Sequence, residues 1–294
     1  MSSAISHWIE AMRLRTLPAG IVPVLTGSSL AYHDSVLNPV ASSVALICAL
    51  LIQIATNFAN DYFDHVKGAD TEERVGFVRA SSSGLIPPRA MFNAAVLTFG
   101  LAFLLGLYLV WIGGWVILAI GIAGIISGFA YTGGPYPLAY NGWGDVFVFI
   151  FFGIIAVCGT YYVNALNWSA EAFLLSLVIG ALCTNILVVN NLRDVETDAK
   201  TNKRTLGVIF GETFLKFEYA LLLLLSFIIP ILLWLNGDFN AWIMLPLLTL
   251  PMAIPLYIRI INAEEKSLLN PLLASSAQFM TLFAVLLSAG LIIS

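Results

Sequence analysis

The sequence predicts an all-α membrane protein, a bundle of about nine transmembrane helices arranged as two pseudo-repeated halves. The 294-residue chain is 60% hydrophobic and 10% charged, with a mean hydropathy of +0.92, whereas ordinary soluble domains carry about 25% charged residues. Its apolar residues form continuous runs, and two of these runs end in a similar acidic pattern. Ample apolar surface excludes a disordered chain, and the net charge of −4 argues against a nucleic-acid binder.

Nine segments reach the length of about 20 mainly apolar residues that a spanning helix needs. In chain order they are 17–32, 41–60, 89–110, 114–131, 145–163, 171–191, 214–235, 240–258 and 272–293. The first follows Arg13 and Arg15, and a cleaved signal peptide is its competing interpretation. Only Gly113-Gly114 separates the third segment from the fourth, while Asn236-Gly237-Asp238 and Asn270-Pro271 mark later breaks. We expect residues 1–294 to form a single transmembrane domain.

The basic residues predict the orientation of the bundle. With nine spans, all 13 Lys and Arg fall on the side of the N-terminus, and the opposite side has only Asp34, Glu171 and Asp238. The positive-inside rule places the basic side in the cytoplasm. The sequence therefore predicts a multi-pass protein of the cell (inner) membrane whose N-terminus and longest loops are cytoplasmic.

A similar acidic motif follows the second and the sixth predicted span. Asp61-x-x-Asp64-x-x-x-Gly68 aligns with Asn191-x-x-Asp194-x-x-x-Asp198, about 130 residues later. Asn60 and Asp64 are four residues apart, and the second set is spaced i, i+3, i+7, so each set lies on one helical face. A ligand between the two helices would meet carboxylates from both. Solvated helix ends are the alternative interpretation, but they leave the repetition unexplained.

The residue types in these motifs favour magnesium and a phosphate ligand. Clustered carboxylates repel one another unless a cation compensates them, and oxygen ligands without His or Cys suit Mg²⁺. Arg and Lys donors beside such a metal are suited to a diphosphate leaving group. The predicted metal ligands are Asn60, Asp61, Asp64, Asn191, Asp194 and Asp198, and the neighbouring basic residues are Arg74, Arg79, Lys203 and Arg204. Lys67, Lys200 and Lys216 are explained by topology alone.

At these residues the sequence resembles the UbiA superfamily of intramembrane aromatic prenyltransferases. Asn60-Asp61-x-x-Asp64 matches the first signature motif of that superfamily, and Asp194-x-x-x-Asp198 matches the second. Gly68 stands where the first motif has its last acid, and Asp70 follows two residues later. Within the superfamily, the stretches 67–74 and 131–135 are most similar to the branch that acts on 1,4-dihydroxy-2-naphthoate.

The resemblance implies nine helices around a central cavity and a Mg²⁺-dependent transfer from polyprenyl diphosphate to 1,4-dihydroxy-2-naphthoate. The acceptor would lose its carboxylate as CO₂, giving a demethylmenaquinol of menaquinone biosynthesis. Arg15 or Arg13 is a candidate to orient the acceptor carboxylate, and Tyr62, Phe63 or Tyr131 to stabilise an allylic cation. The predicted catalytic residues are Asp64, Asp194, Asp198, Lys203 and Arg204, and the predicted substrate-binding residues are Arg15, Arg74, Arg79, Tyr131, Lys203 and Arg204.

Several alternatives stay open on sequence alone. One is a prenyltransferase with another acceptor, such as 4-hydroxybenzoate. Another is a divalent-cation transporter, although transporter sites lie near the bilayer midplane and these acids lie at one interface with basic neighbours. The Gly- and Pro-rich segment 131–141 is either a lid or acceptor-binding wall, or a plain connector.

Overall fold

The computed structural model describes residues 3–68, 79–237 and 239–294, and this part of the chain is helical with no strand. The all-α class is therefore confirmed. The helices are α1 (Ser3–Met12), α2 (Pro18–His33), α3 (Pro39–Val66), α4 (Pro88–Ala130), α5 (Gly144–Val148), α6 (Ala156–Ala165), α7 (Ala170–Lys200), α8 (Leu206–Phe210), α9 (Glu212–Leu235), α10 (Leu250–Ile261) and α11 (Leu269–Ile293). A π-helical stretch, Phe149–Ile155, joins α5 to α6, and a 3₁₀ stretch, Ala241–Thr249, leads into α10.

Local sequence explains where the site-bearing helices α3 and α7 begin. The side chain of Asn38 caps α3 by accepting hydrogen bonds from the backbone of Val40 and Ala41, both 3.1 Å, and Pro39 occupies the first helical position, where its missing N–H costs nothing. Ser169 caps α7 by accepting from the backbone of Ala172 at 3.0 Å. Both helices therefore start at fixed points on the side of the bundle opposite the acidic motifs.

The lengths of α3 and α7 carry the two motifs beyond the apolar layer. With 28 and 31 residues, they extend about 42 and 46 Å at ~1.5 Å per residue, against roughly 30 Å of hydrocarbon. The final turns of each helix therefore project past the membrane core, and those turns bear the acids.

Helix α4 is a hairpin rather than one straight helix. A straight helix of its 43 residues would be about 65 Å long, yet the rings of Phe92 and Phe129, near its two ends, lie 6.0 Å apart. The chain reverses at Gly114, whose φ of +66° and ψ of −154° are non-helical and favour glycine. Trp111 and Trp115 flank this turn and are 82% and 78% exposed. The break predicted at Gly113-Gly114 is therefore present.

In the described part of the chain, seven helices are long and apolar enough to cross a membrane. The predicted count of nine is not confirmed, for two reasons. The α4 hairpin counts once although it holds the third and fourth predicted spans, and α2, the first, has only 16 residues. The chain is a multi-pass membrane protein.

The described part of the bundle has two larger buried clusters and a third, smaller one that joins α3, α4 and α6. One buried cluster joins α2, α6, α7, α9, α10 and α11, and a second joins α1, α3 and both arms of the α4 hairpin. The two motif-bearing helices thus lie in different clusters, whereas α2, which precedes the first motif, packs with the helices of the second.

Candidate functional site

The first acidic motif is buried at the end of α3. Asn60, Asp61 and Asp64 are 9%, 2% and 4% exposed, so the solvated-end interpretation does not describe them. Asp61 accepts hydrogen bonds from the backbone N–H groups of Ala80 (3.0 Å) and Ser81 (2.9 Å), one on each carboxylate oxygen. Asp61 thereby builds the turn that follows Arg79.

Arg79 is placed by that turn against Asp64. A guanidinium nitrogen of Arg79 lies 2.5 Å from Asp64 Oδ2, and both side chains are buried. Asn60 faces the same region, and its side-chain oxygen accepts a hydrogen bond from Thr132 Oγ1 at 2.8 Å. Arg79, predicted to bind the diphosphate, is thus in direct contact with the first motif.

The second acidic motif is buried at the end of α7. Asp194 receives two hydrogen bonds from Arg193, from Nε to Oδ1 and from NH2 to Oδ2, both 2.7 Å. Arg193 also donates to Asn190 Oδ1 at 2.8 Å and to Asn270 Oδ1 at 2.9 Å. Arg193 is only 3% exposed. Arg193 therefore orients Asp194 from within the bundle. From the sequence, Arg193 was only one of the basic residues that predict the membrane topology.

Asp198 and the turn after α7 form the rest of this motif. Lys203 Nζ lies 3.1 Å from Asp198 Oδ1, and the backbone N–H of Lys203 donates to the Asp198 carbonyl at 2.9 Å. The turn thus returns Lys203 to the motif, as the sequence predicts. Arg204 is exposed, and its backbone N–H donates to the Tyr140 carbonyl at 3.0 Å.

Tyr140, which no sequence motif indicates, contacts residues that follow or belong to both acidic motifs. Its hydroxyl donates to Asp64 Oδ1 at 2.8 Å. The Nζ atoms of Lys67 and Lys203 lie 4.4 and 5.9 Å from its ring centroid. Lys67 also donates to the Thr132 carbonyl at 2.5 Å, and burial lowers the pKa of its ammonium, against the opposing influence of the Asp64 charge.

Tyr131 is a second tyrosine of the segment between α4 and α5. Burial, and then the charges of Asp145, Asp64 and Asp198, raise the pKa of its phenol above the ordinary value. Carboxylates from α3 and α7 therefore act on the same hydroxyl. Asp145 was not predicted either; it is buried at the start of α5 and accepts hydrogen bonds from Asn191 Nδ2 at 3.2 and 3.3 Å.

A cavity of about 350 Å³ opens from this region into the apolar part of the bundle. Asn57, Asn60 and Tyr131 line its polar end, and α2, α3, both arms of α4 and the α5–α6 segment line the rest, almost wholly with apolar side chains. Phe147 and Phe151, on α5 and the π-helical stretch, are stacked with centroids 5.8 Å apart and line the wall. π-helical turns occur frequently at functional sites.

Two aromatic residues expected near the reacting carbon lie elsewhere. Tyr62 packs against Phe92, and Phe63 against Phe129, each with ring centroids 5.0 Å apart. Neither lines the cavity, because both side chains face the α4 hairpin. Of the three aromatic candidates, Tyr131 alone lines it.

The remaining predicted residues are placed as follows. Arg74 and Asp70 lie outside the described residues. Arg15 is exposed, and Arg13 is half-buried at a left-handed turn with φ of +52°. Gly68, where the family motif has an acid, has φ of +64° and ends α3 in the left-handed conformation typical of a glycine after a helix. The left-handed backbone at position 68 thus explains why glycine stands there instead of the acidic residue of the family motif.

The donor set fits a hard divalent cation in its chemistry. Asn60, Asp64 and Asp198 offer amide and carboxylate oxygens, the ligand type that Mg²⁺ prefers. In the described residues, no three His, Cys, Asp or Glu are grouped as metal ligands. The carboxylates are instead held by Arg79, Arg193 and Lys203, and a metal would enter beside these cations.

A family model and two curated relatives all match this chain to prenyltransferases. The model of the UbiA prenyltransferase family matches residues 20–283. The chain is similar to 1,4-dihydroxy-2-naphthoate octaprenyltransferases: it is 32% identical to that of Haemophilus influenzae over 301 residues, covering 100% of this chain and 98% of the relative. It is 36% identical to that of Mycobacterium tuberculosis over 254 residues, covering 86% and 85%.

Solved structures share the fold at low sequence identity. A UbiA homologue from Aeropyrum pernix K1 superposes with a TM-score of 0.72 at 10% identity, covering 94% of this chain and 97% of the other. A UbiA homologue from Archaeoglobus fulgidus, bound to GPP and Mg²⁺, superposes with a TM-score of 0.64 at 13% identity, covering 96% and 99%.

Proposed function

The chain belongs to the UbiA prenyltransferase family, and from this membership we propose that it transfers a polyprenyl group from polyprenyl diphosphate to 1,4-dihydroxy-2-naphthoate. The acceptor loses its carboxylate as CO₂, and the product is a demethylmenaquinol of menaquinone biosynthesis. One observation carries the proposal: Tyr140 links the two motifs, because its hydroxyl donates to Asp64 and its ring lies 5.9 Å from Lys203 Nζ, which pairs with Asp198. We propose that residues 1–294 act as one domain, because the site takes residues from both halves.

Magnesium and the diphosphate occupy the polar end of the cavity in this proposal. Mg²⁺, when bound, neutralises the diphosphate and makes it a better leaving group. Asn60, Asp64, Asp194 and Asp198 would hold the metal. Asp61 and Asn191, predicted as ligands with them, support the site through the Ala80–Ser81 turn and Asp145.

Basic side chains take up the charge that develops on the diphosphate as its C–O bond breaks. Arg79 and Lys203 already lie at the motif carboxylates, and Lys67 joins them over the Tyr140 ring. Arg204 and Arg74 complete the predicted set. Arg79 and Lys203 are positioned before the donor arrives, so these two side chains need little reorganisation during the reaction.

The apolar cavity protects the allylic cation until the acceptor attacks. Water would convert that cation to an alcohol, and the largely apolar wall excludes water. The faces of Phe147 and Phe151 replace Tyr62 and Phe63 as its aromatic neighbours, with cation–π contacts of about 2 kcal/mol when desolvated. The acceptor ring attacks through the carbon that bears the carboxylate. Loss of CO₂ then restores the aromatic ring, so no base has to remove a ring proton.

The membrane position suits a donor with a long apolar tail. Each buried CH₂ contributes about 0.8 kcal/mol, which keeps the tail in lipid while the diphosphate lies at the interface. The bias of all 13 Lys and Arg to one side supports a cytoplasmic N-terminus and active site in the cell membrane. Arg15, on this same side, remains the candidate for the acceptor carboxylate.

The proposal is tested with purified protein in detergent, a labelled polyprenyl diphosphate and three acceptor conditions. We expect a prenylated product and equimolar CO₂ with 1,4-dihydroxy-2-naphthoate, and little product with 4-hydroxybenzoate or no acceptor. EDTA or Asp64→Asn should abolish turnover, while Tyr136→Phe, at an exposed tyrosine, should not. Product with 4-hydroxybenzoate but without CO₂ would defeat the acceptor assignment. Mg²⁺ flux into proteoliposomes without any transfer would favour a transporter.

A further inference from the structure

We propose that Tyr140 is a positioning residue that fixes the two acidic motifs relative to each other. The inference rests on the proposed function only for its activity readout. Tyr140 is 9% exposed and lies in the segment between α4 and α5. Its hydroxyl, ring and backbone carbonyl each contact a different part of the site.

The hydroxyl of Tyr140 fixes the first motif. It donates to Asp64 Oδ1 at 2.8 Å while Arg79 holds Asp64 Oδ2. With one partner on each oxygen, the carboxylate has a defined rotation. Each carboxylate oxygen has further lone-pair capacity, so this hydrogen bond orients Asp64 without preventing it from binding a cation.

The ring and the carbonyl of Tyr140 fix the second motif. The ammonium of Lys203 lies 5.9 Å from the ring centroid and 3.1 Å from Asp198, so the ring attracts the same cation that binds the second motif. The Tyr140 carbonyl accepts from the backbone N–H of Arg204, one residue further along. Lys67, which follows the first motif, lies 4.4 Å from the ring centroid.

Tyr140 thus has two roles, one through its hydroxyl at the first motif and one through its ring at the second. Different substitutions test each role. Tyr140→Phe removes the hydrogen bond to Asp64 and keeps the aromatic ring near both lysines. Tyr140→Leu removes the hydrogen bond and the aromatic face. Tyr136→Leu is the matched control, because Tyr136 lies in the same segment but is 57% exposed.

Mn²⁺ binding, followed by electron paramagnetic resonance of the free ion in detergent, measures the first role without turnover. Removing a residue that orients a metal ligand typically costs 10–100-fold in affinity or activity. We expect Tyr140→Phe to raise the half-saturating Mn²⁺ concentration about 10-fold, near the lower limit of that range, and Tyr136→Leu to leave it unchanged. In turnover, Tyr140→Phe should lower kcat with little change in the donor KM, and Tyr140→Leu should raise the donor KM as well.

Hydrogen exchange of the metal-free, donor-free protein measures the second role independently of any function. We expect faster exchange of the backbone amides of 203–206 in Tyr140→Leu than in wild type, Tyr140→Phe or Tyr136→Leu. Unchanged Mn²⁺ binding in Tyr140→Phe, or an exchange effect in Tyr140→Leu confined to 131–143, would overturn the inference. Wild-type protein that bound Mn²⁺ but transferred nothing would refute the proposed function alone. If wild-type protein bound no Mn²⁺, the hydrogen exchange of residues 203–206 would decide whether Tyr140 fixes the two motifs.

Discussion

Replacing Asp61 by Asn should reduce stability while preserving metal binding, although Asp61 belongs to the sequence-predicted ligand set. Asp61 is 2% exposed, and each of its oxygens accepts one backbone N–H, from Ala80 and from Ser81. Asn keeps one acceptor and presents an NH₂ group to the other N–H. A lost hydrogen bond to a buried charged group costs about 1.5–3 kcal/mol, so we expect the free energy of unfolding to fall by that amount.

The assay compares thermal unfolding in detergent and Mn²⁺ binding for Asp61→Asn and Asp64→Asn. Asp61→Asn should unfold at lower temperature and still bind Mn²⁺, within a few-fold of wild type. Asp64→Asn should lose Mn²⁺ binding, because its carboxylate is a proposed metal ligand, held by Arg79 and Tyr140 one helical turn beyond the cavity-lining Asn60. The reasoning is refuted if Asp61→Asn keeps its unfolding temperature and loses the metal, since Asp61 would then be a ligand rather than part of the turn.

Three further substitutions test other parts of the structure. Gly121→Leu should lower kcat/KM more for a long polyprenyl donor than for a short one, because no atom lies within 4 Å of a side-chain carbon at this cavity-lining position; equal losses would contradict it. Arg193→Met leaves the Asp194 charge without its buried partner and should cost about 3–5 kcal/mol of unfolding free energy, visible in thermal denaturation. The KM for the donor should rise as pH increases, and this rise should begin below the ordinary pKa of Lys. The pKa of Lys67 is lowered, so its positive charge is lost at a lower pH than that of an ordinary Lys. Lys67→Arg stays charged and should abolish that rise. If the donor KM of both proteins had the same pH dependence, Lys67 would not be the group that titrates.

Local patterns explain why much of the fold was predictable. The lengths of the apolar runs place α3 and α7, and the spacing of Asp194 and Asp198 places both acids in the final turns of α7. Gly113-Gly114 indicated the break in α4 because glycine alone readily adopts the backbone found at Gly114. Each of these features depends on neighbours within a few residues.

The missed residues depend on contacts between distant parts of the chain. Tyr140 lies 76 positions from Asp64, and no motif around it indicates that contact. Tyr62 and Phe63 were misplaced because adjacency to the motif does not determine which neighbour a side chain faces. Asp145 did carry a usable signal, since it is an isolated acid at the start of a long apolar span, and ionisable residues in such segments are commonly functional.

The turn of the α4 hairpin has a consequence for the host lipid. Trp111 and Trp115 protrude on either side of Gly114, and tryptophan prefers the headgroup layer. These two indoles anchor one leaflet, while the other ends of the hairpin arms lie beside the α3 motif. In a thicker or thinner bilayer the arms must tilt, and the cavity that they line would change its shape with them. The acyl-chain length of the surrounding lipids should therefore affect the shape of the active-site cavity.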